Sequence, residues 1–194
     1  MTESLDRLKL LVNSIYPIPE EIWPEFEAMW KPYAASRREM VTSAGEVEKY
    51  LYFVVEGVQR VYYYDEQDRE ATIVFTYSPS FGGVMDSFLL QDISKYNYEA
   101  LTKSTFLRAD FREVEALMLK YPAVHVMVQK GTVHALLGVL ERLVELQSFS
   151  SEEKFRKLLG RSPHILQLIP HKYLANYLGI DATNFSKLLN KVII

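Results

Sequence analysis

The segment from His171 to Lys191, HKYLANYLGIDATNFSKLLNK, constrains this chain more than any other part of it. Two short helices that cross at a tight turn need particular residue types at particular places. A small side chain is needed where the first helix touches the second, and Ala175 stands there. Four residues on, the turn needs a residue that tolerates a positive φ, and Gly179 supplies it. A buried apolar residue, Ile180, follows, and Asp181 can cap the second helix. Leu174, Leu178, Phe185 and Leu188 have the spacing to fill the wedge between the helices. The segment therefore reads as a helix-turn-helix.

On that reading the outward side of the second helix carries Ala182, Thr183, Asn184, Ser186, Lys187, Asn190 and Lys191, without one acid among them. Such a face suits a helix lying in the major groove of double-stranded DNA. Thr183, Asn184 and Lys187 are the expected base contacts, because residues near the helix N-terminus reach base edges and Asn can pair with adenine through two bonds. Lys172, Asn190 and Lys191 are better placed for phosphates. The charge distribution agrees. The whole chain carries a formal −3, yet from Ser150 onward seven Lys/Arg stand against three Asp/Glu. An acidic body with a basic tail is the pattern of a local polyanion-binding surface.

Upstream of this segment the texture changes twice. Leu5, Leu8, Leu11, Val12 and Ile15 recur at helical spacing until Pro17 and Pro19 break the pattern. A second short helical segment, opened by Glu20 and Glu21, places Trp23, Phe26, Met29 and Trp30 on one side, so the first 35 residues read as helical. From about Arg38 to Phe111, short apolar or alternating runs are separated by turn residues. The runs are Tyr50–Val55, Val58–Tyr64, Ala71–Tyr77 and Thr105–Phe111, and many short strands of this kind imply a sandwich or barrel.

A long helix is then expected, with Pro122 in its first turn. Val133, Leu137, Leu140 and Val144 repeat in steps of four and three, which is a heptad seam. Leu136, Leu143 and Leu146 form a second stripe beside it. One stripe is expected to pack on the barrel while the other meets a partner helix. Ser148–Ser151 reads as a hinge, and Glu152–Leu159 as a short helix capped by Ser150 or Ser151 and ended by Gly160.

Several functions are disfavoured by what is missing. The chain has no cysteine, which removes disulfides, thiolate nucleophiles and thiolate-held metal clusters. Its four histidines, His125, His134, His164 and His171, all lie outside residues 38–111, so a barrel metalloenzyme with an internal histidine set is not expected. No catalytic or metal-binding residue is assigned, and no cofactor. No apolar run approaches the roughly 18 residues of a membrane span, and nothing reads as a signal peptide. A cytoplasmic protein without a membrane partner is the expectation.

With these residues in hand, the chain resembles the Crp/Fnr family of transcription regulators. Gly45 followed by Tyr50-Leu51-Tyr52-Phe53-Val54-Val55-Glu56-Gly57 is similar to the family's strand-turn-strand segment, in which a glycine closes the second turn. Val61–Tyr64 and Arg69–Thr72 are similar to its next hairpin, and the long helix and helix-turn-helix follow in the family's order. The resemblance implies an α+β chain: an N-terminal double-stranded β-helix, or jelly-roll, barrel, a long dimerisation helix over about 122–147, and a C-terminal helix-turn-helix. Residues 1–147 would form the effector domain, and 148–194 a DNA-binding domain without a full wing. It further implies a homodimer whose recognition helices read a pseudo-palindromic operator, with a small-molecule effector and RNA polymerase as further partners.

This sequence departs from the family where its cyclic-nucleotide binders hold ribose and phosphate. Phe81-Gly82-Gly83 keeps the glycine frame, but Val84 stands where a Glu is expected, and the Arg-Ser region reads Ser94-Lys95-Tyr96-Asn97. Lys offers a point charge where Arg offers a fork. The expected effector is therefore not cyclic AMP, and the expected effector residues are Gly82, Gly83, Lys95, Tyr96 and Asn97, where backbone N–H groups and one cation would meet a polar ligand. Tyr62, Tyr64, Phe75, Phe81, Tyr96 and Tyr98 put aromatics around the same region. The alternatives are an empty barrel with constitutive DNA binding, or a ligand sensor or interaction module whose DNA binding has degenerated.

Overall fold

The computed structural model describes residues 2–191; Met1 and 192–194, the last three residues of the expected C-terminal domain, lie outside it. The chain opens with α1 (Thr2–Ile15) and α2 (Trp23–Ala28), followed by β1 (Lys31–Ala35), β2 (Met40–Thr42), β3 (Tyr50–Glu56), β4 (Val58–Tyr64) and β5 (Glu70–Tyr77). Next come β6 (Ser80–Gly82), α3 (Met85–Leu90), β7 (Asn97–Ala100) and β8 (Ser104–Asp110). Six helices follow: α4 (Phe111–Lys120), α5 (Pro122–Ser148), α6 (Ser151–Arg161), α7 (Ile165–Leu168), α8 (His171–Leu178) and α9 (Ala182–Lys191).

The eight strands form two four-stranded antiparallel sheets, ordered β1-β8-β3-β6 and β2-β7-β4-β5. Each sheet interleaves early and late strands, which is the jelly-roll arrangement. The four strands expected from alternation are β3, β4, β5 and β8. Lys31–Ala35 was expected within a helical region and is instead β1, paired along its length with β8. Gly57 joins β3 to β4 at φ +93; a Cβ there would lie 2.6 Å from the Lys103 carbonyl oxygen, so only glycine fits the turn.

Two cores position everything else. One fills the space where β3 and β8 meet α1, α2, α4 and the start of α5, with Leu8, Phe26, Phe53, Phe88, Ala109 and Val124 buried in it. Burying an aromatic or leucine side chain contributes about 1.5–3 kcal/mol, so a cluster of this size fixes α5 to the barrel at its N-terminal end. The other core lies among α6, α7, α8 and α9, around Phe155, Leu174, Leu178 and Phe185, and reaches Val58 and Leu101 of the barrel.

The long helix departs from expectation in one respect. Its contacts with the first core come from Val124, Met127 and Val128; of the leucine stripes, Leu143 and Leu146 line a cavity against β5 and the α8–α9 turn, and neither stripe is buried on the barrel. Leu136, Leu137, Leu140, Leu143 and Val144 all stand half exposed. By length and composition α5 is also apolar enough to cross a membrane, with a mean hydropathy of 1.3 over its most apolar 18 residues. No uninterrupted apolar run exists there, since His125, Gln129, Lys130 and His134 punctuate it; hydropathy averaged over the helix finds what a search for runs does not.

Beyond α5, Phe149 ends the helix and Ser150 starts the next one. Ser150 and Glu153 cap each other reciprocally, each side chain bonding the other residue's backbone N–H. Gly160 lies inside α6, which runs on to Arg161 and stops before Pro163. Pairing of two copies through the exposed seam of α5 is an expectation of the sequence, and on that expectation Leu140→Glu abolishes the pairing, because it puts like charges face to face between the two helices. Sedimentation should then report monomers, while an intact dimer would show that the seam lies elsewhere.

Candidate effector cavity and nucleic-acid interface

The inside of the barrel is filled. Tyr52, Val54, Tyr98 and Phe106 are buried there, and the Tyr98 hydroxyl lies 3.0 Å from Thr76 Oγ1. Gln59 and Ser104 complete a closed polar cluster with them. Burial pushes the Tyr52 and Tyr98 phenols far above the ordinary tyrosine value, so both stay neutral and act as packing groups.

Glu48 is the charge that the sequence reading missed. It is 1% exposed, and its carboxylate accepts from the Thr42 hydroxyl at 2.7 Å, the Val84 N–H at 3.2 Å and the Tyr50 N–H at 3.2 Å. The Val84 N–H, next to the expected effector residues Gly82 and Gly83, is therefore occupied by the chain's own carboxylate. An incoming phosphate would meet negative charge here. Burial raises the Glu48 pKa above 4.5 even though the Thr42, Tyr50 and Val84 bonds act to lower it.

An open cavity of about 670 Å³ lies at the barrel mouth, between the sheet, α5 and the helices after it. Val61, Phe75, Gly83 and Tyr96 contribute from the barrel, His134 and Arg142 from α5, and Tyr177 from α8. Of the five expected effector residues, only Gly83 and Tyr96 reach its wall. Gly82 is paired with Tyr52 and sits against the Tyr98 side chain. Lys95 is exposed away from the cavity, and the Asn97 side chain accepts from the Ala44 N–H at 2.9 Å. Of the expected aromatics, Phe75 and Tyr96 line the cavity.

The helices α8 and α9 meet as the sequence requires. Gly179 adopts φ +60, Ala175 and Ile180 are buried, and the Asp181 carboxylate accepts from the Asn184 N–H at 2.8 Å. Thr183, Lys187, Asn190 and Lys172 are exposed. Asn184 is half-buried and its amide donates to Ser151 Oγ at 3.2 Å, while Lys191 is paired with Glu152 at 2.6 Å.

This helix pair is seated on the barrel. β5 is an edge strand, and the Asn176 side chain pairs with it as a peptide would. Its Oδ1 accepts from the Thr72 N–H at 2.7 Å and its Nδ2 donates to the Glu70 carbonyl at 2.7 Å. Beside it, buried Arg60 bonds Glu70 at 2.7 Å and Glu99 at 2.9 Å, with its guanidinium between the Tyr62 and Tyr173 rings, 3.9 and 4.0 Å from their centres. Burial alone would lower the Arg60 pKa, but the bonds to Glu70 and Glu99 outweigh it and the net shift is upward. Phe75 packs on Tyr177 and the Tyr77 hydroxyl bonds Ser162 at 2.7 Å. None of these partners is legible from spacing, since they lie far apart in sequence.

The chain is thus a jelly-roll with a mouth cavity, followed by a long helix and a seated helix pair. Residues 34–121 match the family described as Cyclic nucleotide-binding domain. No curated protein matches the chain by sequence. Among solved structures it is similar to FixK2 from Bradyrhizobium japonicum, with TM-score 0.76 and 16% identity, covering 84% of this chain and 83% of that one. It is also similar to the c-di-GMP responsive global regulator CLP of Xanthomonas campestris, with TM-score 0.69 and 16% identity over 89% and 91% of the two chains. A structure from Eubacterium rectale described as a transcriptional regulator of the Crp/Fnr family gives TM-score 0.70 and 13% identity, over 90% and 83%. At these identities the likeness is one of fold.

A carboxyl with a higher pKa folded than unfolded favours the folded state at low pH, and that contribution is lost as pH rises from 4.5 through its folded value. Wild type is therefore expected to lose stability relative to Glu48→Gln as pH rises from 4.5 towards neutrality. Urea denaturation across that range measures the difference, and a difference that does not vary with pH would contradict the buried, raised carboxyl.

Proposed function

We propose that the protein is a Crp/Fnr-type, sequence-specific DNA-binding transcription regulator, controlled by a small-molecule effector other than cyclic AMP. Residues 1–147 form its effector domain and long helix, and 148–194 its DNA-binding domain. The observation that carries this reading is the outer face of α9, which is exposed and holds Thr183, Lys187, Asn190 and Lys191 without an acid. Thr183, Asn184 and Lys187 read base edges, and Lys172, Asn190 and Lys191 hold phosphates. Binding frees Asn184 from Ser151 and Lys191 from Glu152.

The half-exposed stripe of α5 pairs with the same stripe of a second copy, which sets two recognition helices about 34 Å apart on an operator with matching symmetry. RNA polymerase is a natural partner for a regulator so placed. The protein works in the cytoplasm and by binding, with no catalytic residue. The buried Glu48 beside Val84, together with the missing Arg fork, argues against a cyclic nucleotide phosphate at the β6–α3 turn.

A second reading, a sensor or interaction module without DNA binding, is favoured by one observation. Two of the six proposed DNA contacts, Asn184 and Lys191, are already engaged within the chain. Selection from fragmented genomic DNA at moderate salt separates the two. Retained fragments sharing a two-fold symmetric motif are expected. Lys187→Ala is then expected to weaken binding to that motif by about 1–3 kcal/mol, or to flatten its salt dependence if the lysine holds a phosphate. Retention with no shared motif would contradict specific recognition, and folded protein that retains nothing, both alone and in a selection repeated with any hit of a ligand-stabilisation screen, would favour the second reading.

A further inference from the structure

We propose that the mouth cavity binds a small organic carboxylate with an aromatic or branched body, and that Arg142 on α5 is the residue that holds the carboxylate. Arg142 is 7% exposed, and neither its Nε nor its Nη1 has a hydrogen-bond partner. Buried guanidinium N–H groups are almost always paired, because leaving them unpaired forfeits their hydration without replacement. The Tyr177 ring lies 3.8 Å from the guanidinium carbon. A carboxylate pairs with a guanidinium through Nε and Nη2 or through Nη1 and Nη2; among the described residues no side chain or carbonyl bonds any of the three nitrogens, so an edge that includes Nη2 is left for the two oxygens of a ligand.

The rest of the wall suits the body of such a molecule. Val61, Ile73, Phe75 and Val139 are apolar, and the cavity of about 670 Å³ has room for a two-ring compound. The charges on the wall select the head group. Arg161 is committed to Glu145 at 2.7 Å, so Arg142 is the cation available, while Asp86 and Glu141 also line the cavity. One free guanidinium among acids favours a single negative charge over a phosphate dianion. The anion-binding group thus comes from the long helix, while the β6–α3 turn lends Gly83 and Val84 to the wall and has its Val84 N–H already bonded to Glu48. Arg142 also touches Tyr177 of α8 and lines the neighbouring cavity containing Asn176 and Gly179. A ligand on Arg142 therefore reaches the seat of the helix pair directly. Only that regulatory consequence rests on the function proposed above; the binding itself does not.

The test uses purified full-length protein without DNA, so its outcome is independent of DNA recognition. The probes are 1-naphthoate, 1-naphthyl phosphate and the neutral 1-naphthamide, titrated by calorimetry and by the Nε–H resonance of Arg142 in arginine-labelled protein. Expected results are binding of 1-naphthoate with a shift of that resonance, and binding of 1-naphthamide about tenfold weaker or less. Arg142→Gln, checked for folding by circular dichroism, should lose about as much affinity for the acid, and Arg142→Lys should recover part of it. Tighter binding of the phosphate than of the carboxylate would overturn the assignment of ligand class. Equal binding of acid and amide, unchanged binding in Arg142→Gln, or a resonance that none of the probes moves would overturn the site.

Discussion

The pairing of the Asn176 amide with the open edge of β5 is the contact on which the arrangement of this molecule depends. An edge strand presents backbone N–H and C=O groups that must be covered or solvated. Here one side-chain amide covers a donor and an acceptor at once, the Thr72 N–H and the Glu70 carbonyl. The bulge in β5 between its pairings with Val61 and Tyr62 adjoins this point, and bulges re-aim the strand locally. Arg60 reinforces the seat from below. Its charge is balanced by Glu70 and Glu99, and its faces are covered by Tyr62 from the barrel and Tyr173 from α8. Removing one partner from a buried ion group of this kind costs about 3–5 kcal/mol, because a charge is left unpaired. The helix pair is thus tied to the barrel by polar contacts that need correct geometry, and such contacts are made or lost together.

That seat connects the two functions proposed for the chain. The mouth cavity is bounded on one side by barrel strands and on another by Tyr177 of the seated helix. A ligand there touches both bodies. The long helix forms the third wall: its first turns are anchored in the first core, and its later turns bury Arg142 and Glu145 while Leu137, Leu140 and Val144 stand half exposed. In the proposed function, ligand, partner helix and helix pair therefore converge on the stretch of α5 around Arg142. The barrel interior, by contrast, holds packed tyrosines and a satisfied polar cluster and has no room for a guest.

How much of this the sequence disclosed follows from the range of the interactions involved. The helix pair was legible because its constraints are local: Ala175, Gly179, Ile180 and Asp181 fall within seven residues and each has one physical job. Strands β3, β4, β5 and β8 were legible from alternation, whereas β1 was not, because Lys31–Ala35 follows a helical stretch directly and pairs with β8 far along the chain. The packing of α5 was only partly legible for a related reason. A heptad seam says which residues share a face but not what that face meets: Leu137, Leu140 and Val144 stand half exposed, while Leu143 and Leu146 line a cavity with β5 and the α8–α9 turn. The site itself was least legible. Glu48, Arg60, Arg142 and Asn176 are ordinary polar residues in sequence, and each acquires its role from partners that only folding brings near. Gly82, Lys95 and Asn97 were placed by analogy to a phosphate site, and in this fold they lie outside the wall of the mouth cavity.

The seat of the helix pair is the claim that most directly decides the account, and the absence of native cysteine makes it simple to test. Spin labels on cysteines introduced at the exposed positions Glu66, in the β4–β5 turn, and Lys172, on α8, report the separation of barrel and helix pair by double electron–electron resonance in labelled protein diluted with unlabelled. A single narrow distance distribution is expected in the ligand-free protein, broadening when Asn176→Ala removes the pairing with β5. A broad distribution in the ligand-free protein, or a narrow one that Asn176→Ala leaves unchanged, would contradict it.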